Sequence, residues 1–557
     1  MTSSSATSRL DTHEVTNQAT PLCDYNTFDS DPALQAAVER EGAKWAESRI
    51  RKLGAEVGSA KVQELASLAN KFTPELFTND RYGHRLDEVE YHPAYHELMS
   101  LAFGSGIHSL AWTATEPGGH VARAAMSYLW NQGENGIACP IAMTYAALPA
   151  VRAAPSVAED WAGKLMAEGY DHKLRPIEQK QFATMGMVLT EKQSGCDLRG
   201  ITTTASSTGV ENEYLLNGHK WFCSAPMCDG FLAIAYTDAG PTLFLLPRVL
   251  SDGTRNRIFI QMLKDKCGNR SNASSSVELH DAFAIRISEE GRGIRMAMED
   301  AHLSRLDLAV GSAGLMRQAL VQALHYGRGR RTFQMPLASQ PLMQNVLADL
   351  AIESEAAMVL TMRIARAVDE APTDPIAAKL QRVGPPLVKY FVCKTAPGFV
   401  VEAMECLGGN GYIENHMLAR LYREAPVNSI WEGSSNMVCL DVLRSLDRDP
   451  EMLDAMMSEL RAAKGGDRML DAAVEALPEQ IAQIDDLPHR ARWISERMVR
   501  LWQGALMIRH ATPSVADAFL STRVGEQRGE YYGSMRAAID CAAILDQTAP
   551  ADDLVVH

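Results

Sequence analysis

The spacing of apolar residues changes twice along this chain, and this pattern constrains the fold more than any other feature. From about residue 32 to 184, apolar residues recur every three or four positions, as in ALQAAVEREGAKWAESRIRKLG, which indicates amphipathic helices. Between about 185 and 290, short and partly alternating apolar runs such as FLAIAYTDAG and TLFLLPR are separated by turn residues, which is typical of strands. Helical periodicity returns after Gly293. The order helix, sheet, helix predicts an α+β protein with a compact β domain in the middle.

A chain of 557 residues is too long for a single hydrophobic core, and the pattern divides it into four segments. We predict an N-terminal arm and helical domain at 1–184, a β domain at 185–290, a helical bundle domain at 291–446 and an additional C-terminal helical domain at 447–557. Residues 1 to about 30 are rich in Ser, Thr and Asp, so we expect them to wrap loosely or stay mobile. Within the β domain, Asn217-Gly218 predicts a hairpin turn.

The composition argues against several functional classes. A formal net charge of −15 and a pI near 5.5 give no general attraction to phosphate backbones or anionic lipid. No apolar run approaches the roughly eighteen residues of a membrane-spanning helix, and the start of the chain has no signal-peptide pattern. The ten cysteines are scattered without C-x-x-C pairs, so neither a disulfide framework nor a metal site is predicted. We therefore expect a cytoplasmic protein with no membrane partner.

The stretch NSIWEGSSN, residues 428–436, places one carboxylate between a tryptophan and a run of small residues. Ser429 and Glu432 fit the S-x-x-E capping box, in which the glutamate accepts a hydrogen bond from a free main-chain N–H at the start of a helix. The same glutamate, shielded by Trp431 and apolar neighbours, would have a raised pKa and could act as a base. The stretch by itself leaves both interpretations open.

Polar residues interrupt apolar segments at three further places. Residues 190–197, TEKQSGCD, could present hydroxyl and N–H groups to a planar ligand or form an ordinary surface turn. Residues 222–224 offer an aromatic wall and a hydroxyl at the end of a strand, although such residues are more often core. Residues 326–333, YGRGRRTF, place arginines at a helix end, where they could clamp a diphosphate or complement the helix dipole. The glycines of 408–411 follow a helical stretch rather than a strand, so nicotinamide binding is not indicated.

These motifs become specific when they are taken in order. T-E-x-x-x-G-x-D opens the β domain and is followed by N-G-x-K-x-[FW]-x-[ST], Y-x-x-x-R-x-x-F-x-x-P, G-G-x-G-Y and [WY]-E-G. This ordered set resembles the acyl-CoA dehydrogenase family over roughly residues 30–445. With NSIWEGSSNMVCLDVLR, LKDKCGNRSNAS, LTEKQSGCD and the extra C-terminal helical segment, the chain is most similar to the AidB branch, flavoproteins of the adaptive response to alkylation.

The resemblance implies both a fold and a chemistry. The fold has an N-terminal helical domain, a middle β-barrel or sandwich, a C-terminal four-helix bundle and, here, an additional helical domain. In the implied reaction Glu432 removes a proton α to the thioester carbonyl of an acyl-CoA while a hydride leaves the β-carbon for N5 of FAD. A homotetramer is implied because the family shares each FAD between chains; the electron acceptor is not identified. The cofactor-binding residues implied by the motifs are Leu189, Thr190, Gly195, Cys196, Phe222, Cys223, Ser224, Arg330, Phe333, Gln344, Gly408, Gly409, Gly411, Ile430, Trp431, Ser434 and Asn436.

Departures from the family pattern bear on the cofactor and the substrate. Gln334 stands where the family usually has glycine, Glu405 where many members have glutamine, and Cys196 where serine is common. Trp431, where most members have tyrosine, would narrow the acyl pocket. This favours a short or branched acyl thioester. Oxidation of nitroalkanes on the same scaffold would be expected to use an aspartate base, so Glu432 counts against it.

A second function stays open, because the AidB branch is linked to duplex DNA binding through its C-terminal domain. Residues 447–557 carry 12 Lys and Arg against 19 Asp and Glu, which makes a poor surface for counterion release. Residues 489–510 nevertheless hold five arginines and one glutamate, and Arg444, Arg523 and Arg528 could join them after folding. These arginines could equally pair with acids of the same domain. Charge therefore does not favour DNA binding.

Overall fold

The computed structural model describes residues 12–482, 486–536 and 538–549. The part before the barrel is helical, as predicted, apart from one two-stranded hairpin that the sequence analysis missed. Helix α1 begins where it does because Pro32 occupies its first turn and the carboxylate of Asp31 accepts a hydrogen bond from the N–H of Leu34. The elements in chain order are α1 (Pro32–Arg40), α2 (Glu47–Val57), α3 (Ala60–Lys71), β1 (Glu75–Asn79), β2 (Arg85–Glu90), α4 (Pro93–Gly104), α5 (Leu110–Thr113), α6 (Gly119–Gly133), α7 (Ala138–Ala153) and α8 (Pro155–Met166).

The residues just before α1 are packed rather than loose. Leu22, Tyr25 and Phe28 are buried, and the hydroxyl of Tyr25 donates a 2.9 Å hydrogen bond to Oε1 of Gln318. The expectation of a loosely wrapped arm is therefore wrong for these residues, because three large apolar side chains gain burial there. The first 11 residues, also part of that expectation, lie outside the described residues.

Seven strands form the middle domain and close a barrel. Strands β4, β5, β9, β7 and β6 pair in this order, and β6 pairs again with β4. Strand β3 adds to β6 in parallel, and β8 adds to β9. The strands are β3 (Met185–Val188), β4 (Thr204–Ser207), β5 (Glu213–Ser224), β6 (Gly230–Thr237), β7 (Gly240–Pro247), β8 (Ile258–Leu263) and β9 (Ser274–Arg286).

The predicted hairpin turn at Asn217-Gly218 is wrong, because β5 runs through both residues. The amide of Asn217 instead donates a 2.8 Å hydrogen bond to Oδ1 of Asp281 on β9. A Cβ atom on Gly218 would lie 2.5 Å from Oγ1 of Thr203. Glycine is therefore required here for close packing against the segment before β4, not for a turn.

Helices after the barrel form the predicted C-terminal bundle, and the predicted fold class is confirmed. Helix α11 starts at Pro375 because the carboxylate of Asp374 accepts a 2.8 Å hydrogen bond from the N–H of Ile376. The elements of this part are α9 (Gly293–Gly329), β10 (Arg331–Thr332), β11 (Met335–Pro336), α10 (Pro341–Glu370), α11 (Pro375–Cys406), α12 (Gly409–Tyr412), α13 (Leu418–Glu424) and α14 (Ser435–Arg448).

Five further helices pack on the bundle through α10, α11 and α14. Arg523 is buried against Asp349 and Glu353 of α10, and Nη1 of Arg500 lies 2.9 Å from Oε1 of the same Glu353. These ion pairs tie the last helices to the bundle. The helices are α15 (Glu451–Arg461), α16 (Arg468–Ala482), α17 (Leu487–His510), α18 (Pro513–Phe519) and α19 (Cys541–Thr548). In the described part of the chain, no helix has both the length and the apolar character needed to span a membrane.

Candidate active site

Glu432 lies in the turn between α13 and α14, and it does not cap a helix. Helix α14 begins at Ser435, after Glu432, and the hydroxyl of Ser429 donates to the carbonyl of Pro426 instead of capping. The capping-box interpretation is therefore wrong. Glu432 has φ 56°, in the left-handed region that non-glycine residues rarely occupy. Such backbone strain is typical of functional turns that the surrounding structure holds in place.

Two buried cations, Arg305 and Lys389, bind the main chain of this turn. Nε of Arg305 on α9 donates a 3.0 Å hydrogen bond to the main-chain carbonyl of Glu432, and Nζ of Lys389 on α11 donates to the carbonyl of Gly433. Arg305 is fixed in turn by Asp441, with Nη1 2.7 Å from Oδ2. Because both main-chain oxygens are engaged, α9 and α11 together hold the main chain of this turn.

The environment of Glu432 favours its neutral form. Burial of the carboxyl raises the pKa of Glu432, while the charges of Arg305 and Lys389 lower it. A second carboxyl, Asp300 on α9, is 1% exposed, and its Oδ2 has no hydrogen-bond partner among the described residues. Burial raises the pKa of Asp300 well above its ordinary value, and the charges of Glu299 and Glu432 add to this effect. The site therefore combines two neighbouring carboxyls, Glu432 and Asp300, and burial raises the pKa of each.

A buried ion pair joins two of the sequence motifs. Glu191, from T-E-x-x-x-G-x-D, and Lys220, from N-G-x-K, are both fully buried, with Nζ 2.8 Å from Oε1. Glu191 also accepts hydrogen bonds from the N–H groups of Thr202 and Thr203, at 2.7 and 3.2 Å. Burial alone would raise the pKa of Glu191, but the charge of Lys220 and these hydrogen bonds lower it to about 2. The pair therefore positions the turn at residues 190–197 beside the end of β5.

Strand alternation decides which residues at the end of β5 are available to a ligand. Phe222 is 48% exposed, whereas Cys223 is buried in the barrel and burial raises the pKa of its thiol to about 12. Only the main-chain atoms of Cys223 are therefore available to contact a cofactor. Ser224 is half-buried, with its hydroxyl 3.2 Å from that of Ser274. Ser224 also lies beside the thiol of Cys139, whose pKa is raised to about 12 by burial and, to a smaller extent, by the charge of Glu432.

The end of β5 and the turn before α14 offer surfaces that fit a flavin ring. Phe222 and Ile430 are large apolar residues, yet their side chains are 48% and 63% exposed. Nε1 of Trp431 is buried and lacks a hydrogen-bond partner in the described structure. Exposed apolar side chains of this kind offer surfaces that a flat, heteroatom-rich ring would cover. Leu189 and Thr190 at the end of β3 are half-buried, Gly195 and Cys196 in the adjoining turn are exposed, and Ser434 is half-buried.

The residues expected at the diphosphate and adenine lie on a different surface. Phe333 is 91% exposed at the tip of the β10–β11 hairpin, next to Gln334, whose φ of 70° explains why glycine suits this position. Arg330 donates to the carbonyl of Asn17, at 2.6 Å. Gln344 is half-buried on α10. Gly408 and Gly409 are exposed, with nothing close to an added Cβ, whereas Gly411 packs against the carbonyl of Met404.

Sequence reasoning missed Arg305, Lys389 and Asp300. Each is a charged residue inside a long apolar helical stretch, and each is at least nine-tenths buried. Lys, Arg and Asp are rarely buried without a specific partner or role. A charged residue at a position predicted to lie in the helical core is therefore the sequence signal that could have identified them.

The arginines considered for DNA are largely engaged within the chain. Arg500, Arg523 and Arg528 pair with Glu353 or Asp349, and Arg509 lies 3.6 Å from Glu459. Nε of Arg492 donates a 2.8 Å hydrogen bond to Oδ1 of Asn436, one of the residues implied to bind FAD. Within the described residues, four of the eight arginines considered for DNA thus pair with acids, as the interpretation in terms of internal pairs predicts.

Helical domain, closed barrel and helical bundle occur in the order of the acyl-CoA dehydrogenase fold, an architecture of flavin-dependent oxidoreductases. Family models match in the same order: the adaptive response protein AidB N-terminal domain at 17–172, the acyl-CoA dehydrogenase middle domain at 186–282 and the acyl-CoA dehydrogenase C-terminal domain at 291–446. AidB of Escherichia coli strain K12 is 42% identical over 525 residues, covering 93% of this chain and 96% of that protein. The chain belongs to the acyl-CoA dehydrogenase family, FAD-dependent oxidoreductases acting on CH–CH donors, and within it to the AidB type.

Solved structures support the same assignment. Caenorhabditis elegans ACDH-11 in complex with C11-CoA superposes with a TM-score of 0.84 at 26% identity, covering 92% of this chain and 94% of that chain. An acyl-CoA dehydrogenase of Bacillus anthracis complexed with FAD shares the fold, with a TM-score of 0.63 at 18% identity over 83% of this chain and 84% of that one.

Proposed function

We propose that this protein catalyses the α,β-dehydrogenation of a short or branched acyl-CoA thioester, with Glu432 as the base that removes the α proton. The observation that carries the proposal is the placement of Glu432 on a strained turn held by Arg305 and Lys389. A base works best when its pKa approaches the operating pH, and burial of Glu432 moves its pKa in that direction.

Bound FAD supplies the acceptor for the hydride that leaves the β-carbon. We assign its flavin ring to the surface formed by Phe222, Ser224, Ile430 and Trp431, with the turn at 190–196 along one edge. The exposed apolar side chains support this assignment. The remaining motif residues, from Arg330 to Gly411, would hold the diphosphate and adenine of an FAD shared with another subunit.

We expect Trp431 to limit the length of the acyl group that can bind beside Glu432. Its indole is larger than the phenol that most family members carry, and it directly precedes Glu432. The pocket beside the base is therefore narrowed for straight chains. The similarity to ACDH-11, solved with C11-CoA, supports acyl-CoA as the substrate class and makes chain length the property to measure.

A homotetramer is part of the proposal. Phe333 and Leu342 are 91% and 80% exposed on neighbouring elements, and large apolar side chains at this exposure mark contact surfaces when they cluster. Arg330 and Gln344, expected to contact FAD, lie on the same elements. A partner subunit covering this surface would bury these side chains and complete the cofactor site.

Anaerobic titration of the purified holoprotein with butyryl-, isobutyryl-, isovaleryl- and octanoyl-CoA tests the function. We expect at least one short or branched thioester to bleach the flavin absorbance. Glu432→Gln should retain FAD but lose roughly 10²–10⁴-fold in the rate of bleaching. Glu451→Gln, an exposed acid on α15, is the matched control and should react like the unmodified protein. Full activity of Glu432→Gln, or no bleaching by any thioester, contradicts the proposal.

A further inference from the structure

A cavity of about 600 Å³ lies between the β1–β2 hairpin, α4 and the segment before β3. This volume is within the range of small-molecule sites. Its lining contains neither Glu432 nor the residues assigned to FAD. Pro140 and Ala225 line it, and their chain neighbours Cys139 and Ser224 lie toward the candidate active site. The cavity is thus a separate space, one residue layer away from that site.

The cavity has aromatic walls. Tyr91 and Tyr95 stack with ring centroids 4.0 Å apart and an interplanar angle of 17°. His96 stacks on Tyr170 at 6.0 Å and 23°, and its centroid lies 4.5 Å from that of His172. All five rings line the same cavity. Flat walls of this kind suit a planar ring, which can stack or pack edge to face against them.

The polar groups of the wall are enclosed or paired. The hydroxyl oxygen of Tyr91 is buried against Tyr95 and the main chain of Ala273. His96 accepts or donates at 3.2 Å to the hydroxyl of Tyr170 and remains neutral at pH 7, because burial and the charge of His172 lower its pKa to about 4.

The charges at the cavity select against anions. Glu88, Glu90 and Asp171 line it, and no Lys or Arg is among its lining residues in the described structure. Glu88 pairs with Arg255, and Asp171 lies 3.5 Å from Arg175. Glu90 is exposed and has no ion-pair partner among the described residues. A phosphate-bearing ligand such as a CoA ester would meet uncompensated repulsion here, whereas an ammonium group would find both a carboxylate and aromatic faces.

We infer that this cavity binds a small aromatic amine, with its ring between the tyrosine and histidine walls and its ammonium group toward Glu90. The inference is independent of the dehydrogenase reaction, because the cavity contains no residue of the candidate active site.

Calorimetric titration of the holoprotein with tyramine tests the inference. Two matched probes test the amine and the aromatic ring separately. 3-(4-Hydroxyphenyl)propionate keeps the phenol but carries a carboxylate, and 2-cyclohexylethylamine keeps the amine but has no aromatic ring. We expect tyramine to saturate one site per chain, with each matched probe binding at least about tenfold more weakly. Glu90→Gln, which removes only the charge, should weaken tyramine about tenfold.

Leu174→Trp fills the cavity from its wall and should abolish tyramine binding. Glu432→Gln should bind tyramine unchanged while losing flavin reduction, which separates failure of this inference from failure of the proposed function. Thermal melts of all variants check folding. The inference is overturned if tyramine does not bind, if the propionate binds as tightly, or if folded Glu90→Gln and Leu174→Trp both bind tyramine normally.

Discussion

Arg305 donates a hydrogen bond of 3.0 Å from Nε to the main-chain carbonyl of Glu432, across 127 residues of chain. The same guanidinium binds Asp441, which Arg382 also contacts at 3.0 Å. The candidate base is therefore positioned by a residue from another helix that need not touch substrate. Substitution of Glu432 should therefore remove the base itself, whereas substitution of Arg305 should displace it.

Arg305→Met should lower the rate of flavin reduction by roughly 10²-fold, because a small displacement of a catalytic group has effects of this size. FAD content should be unchanged, and Asp441 keeps Arg382 as its partner. Stopped-flow bleaching with the best thioester measures the rate. Arg295→Met, on the exposed face of the same helix, is the control. An unaltered rate in Arg305→Met would show that the turn holds its own conformation.

The pH dependence of reduction should report Glu432. A base acts when deprotonated, so the rate should fall as the pH drops through its raised pKa. Lys389→Met removes a positive charge that lowers this pKa, so the fall should begin at a higher pH in the variant. Lys379→Met, on the same helix but paired with Asp449, should leave the profile in place. A profile that shifts to lower pH in Lys389→Met would refute the assignment of the base.

Stability should depend on pH through Glu424. Burial raises the pKa of Glu424 to about 7 from its ordinary value of 4.5. Between these values the folded state binds a proton that the unfolded state has lost, so stability declines as pH rises through this window and is level above it. Glu424→Gln should remove up to about 3 kcal/mol of that decline, measured as unfolding free energy at a series of pH values. Exposed Glu414→Gln should follow the unmodified protein.

The last helices should depend on Arg523. Replacing it by Met removes the fully buried partner of two buried carboxylates and leaves Asp349 with Arg528 and Glu353 with Arg500. We expect a loss of roughly 3–5 kcal/mol, seen as a lower thermal midpoint. Arg461→Met removes an exposed pair with Glu475 and should cost less than about 1 kcal/mol. Equal losses in both variants would mean that the buried pairs do not dock these helices.

Phe333→Asp should disrupt assembly and cofactor retention together. A charge in the centre of the proposed subunit contact is expected to lower the mass measured by light scattering and the FAD content of the purified protein. Tyr82→Asp, on an equally open turn of the β1–β2 hairpin, should change neither. Loss of FAD from a protein of unaltered mass would place Phe333 at the cofactor but not at a subunit contact.

The rhythm of the sequence determined the order of the domains and most of the strands. Short apolar runs bounded by turn residues carry that information: β6 and β7 are buried on both faces along most of their length, and β8 alternates at its start. The ordered motifs likewise determined the family, since residues that meet a common cofactor keep their spacing. Where the sequence analysis failed, at Asn217-Gly218, a local turn signal was overridden by a cross-strand hydrogen bond to Asp281.

The tertiary structure alone decided how Glu432 is held and which charges surround it. Arg305, Lys389 and Asp300 come from helices more than forty residues away in sequence, and no local pattern indicates that they converge on one turn. The same holds for Glu191 and Lys220, which belong to two separate motifs and meet in the barrel. Periodicity reports which face of an element is buried, but the partner of a buried charge depends on packing between elements that are distant along the chain.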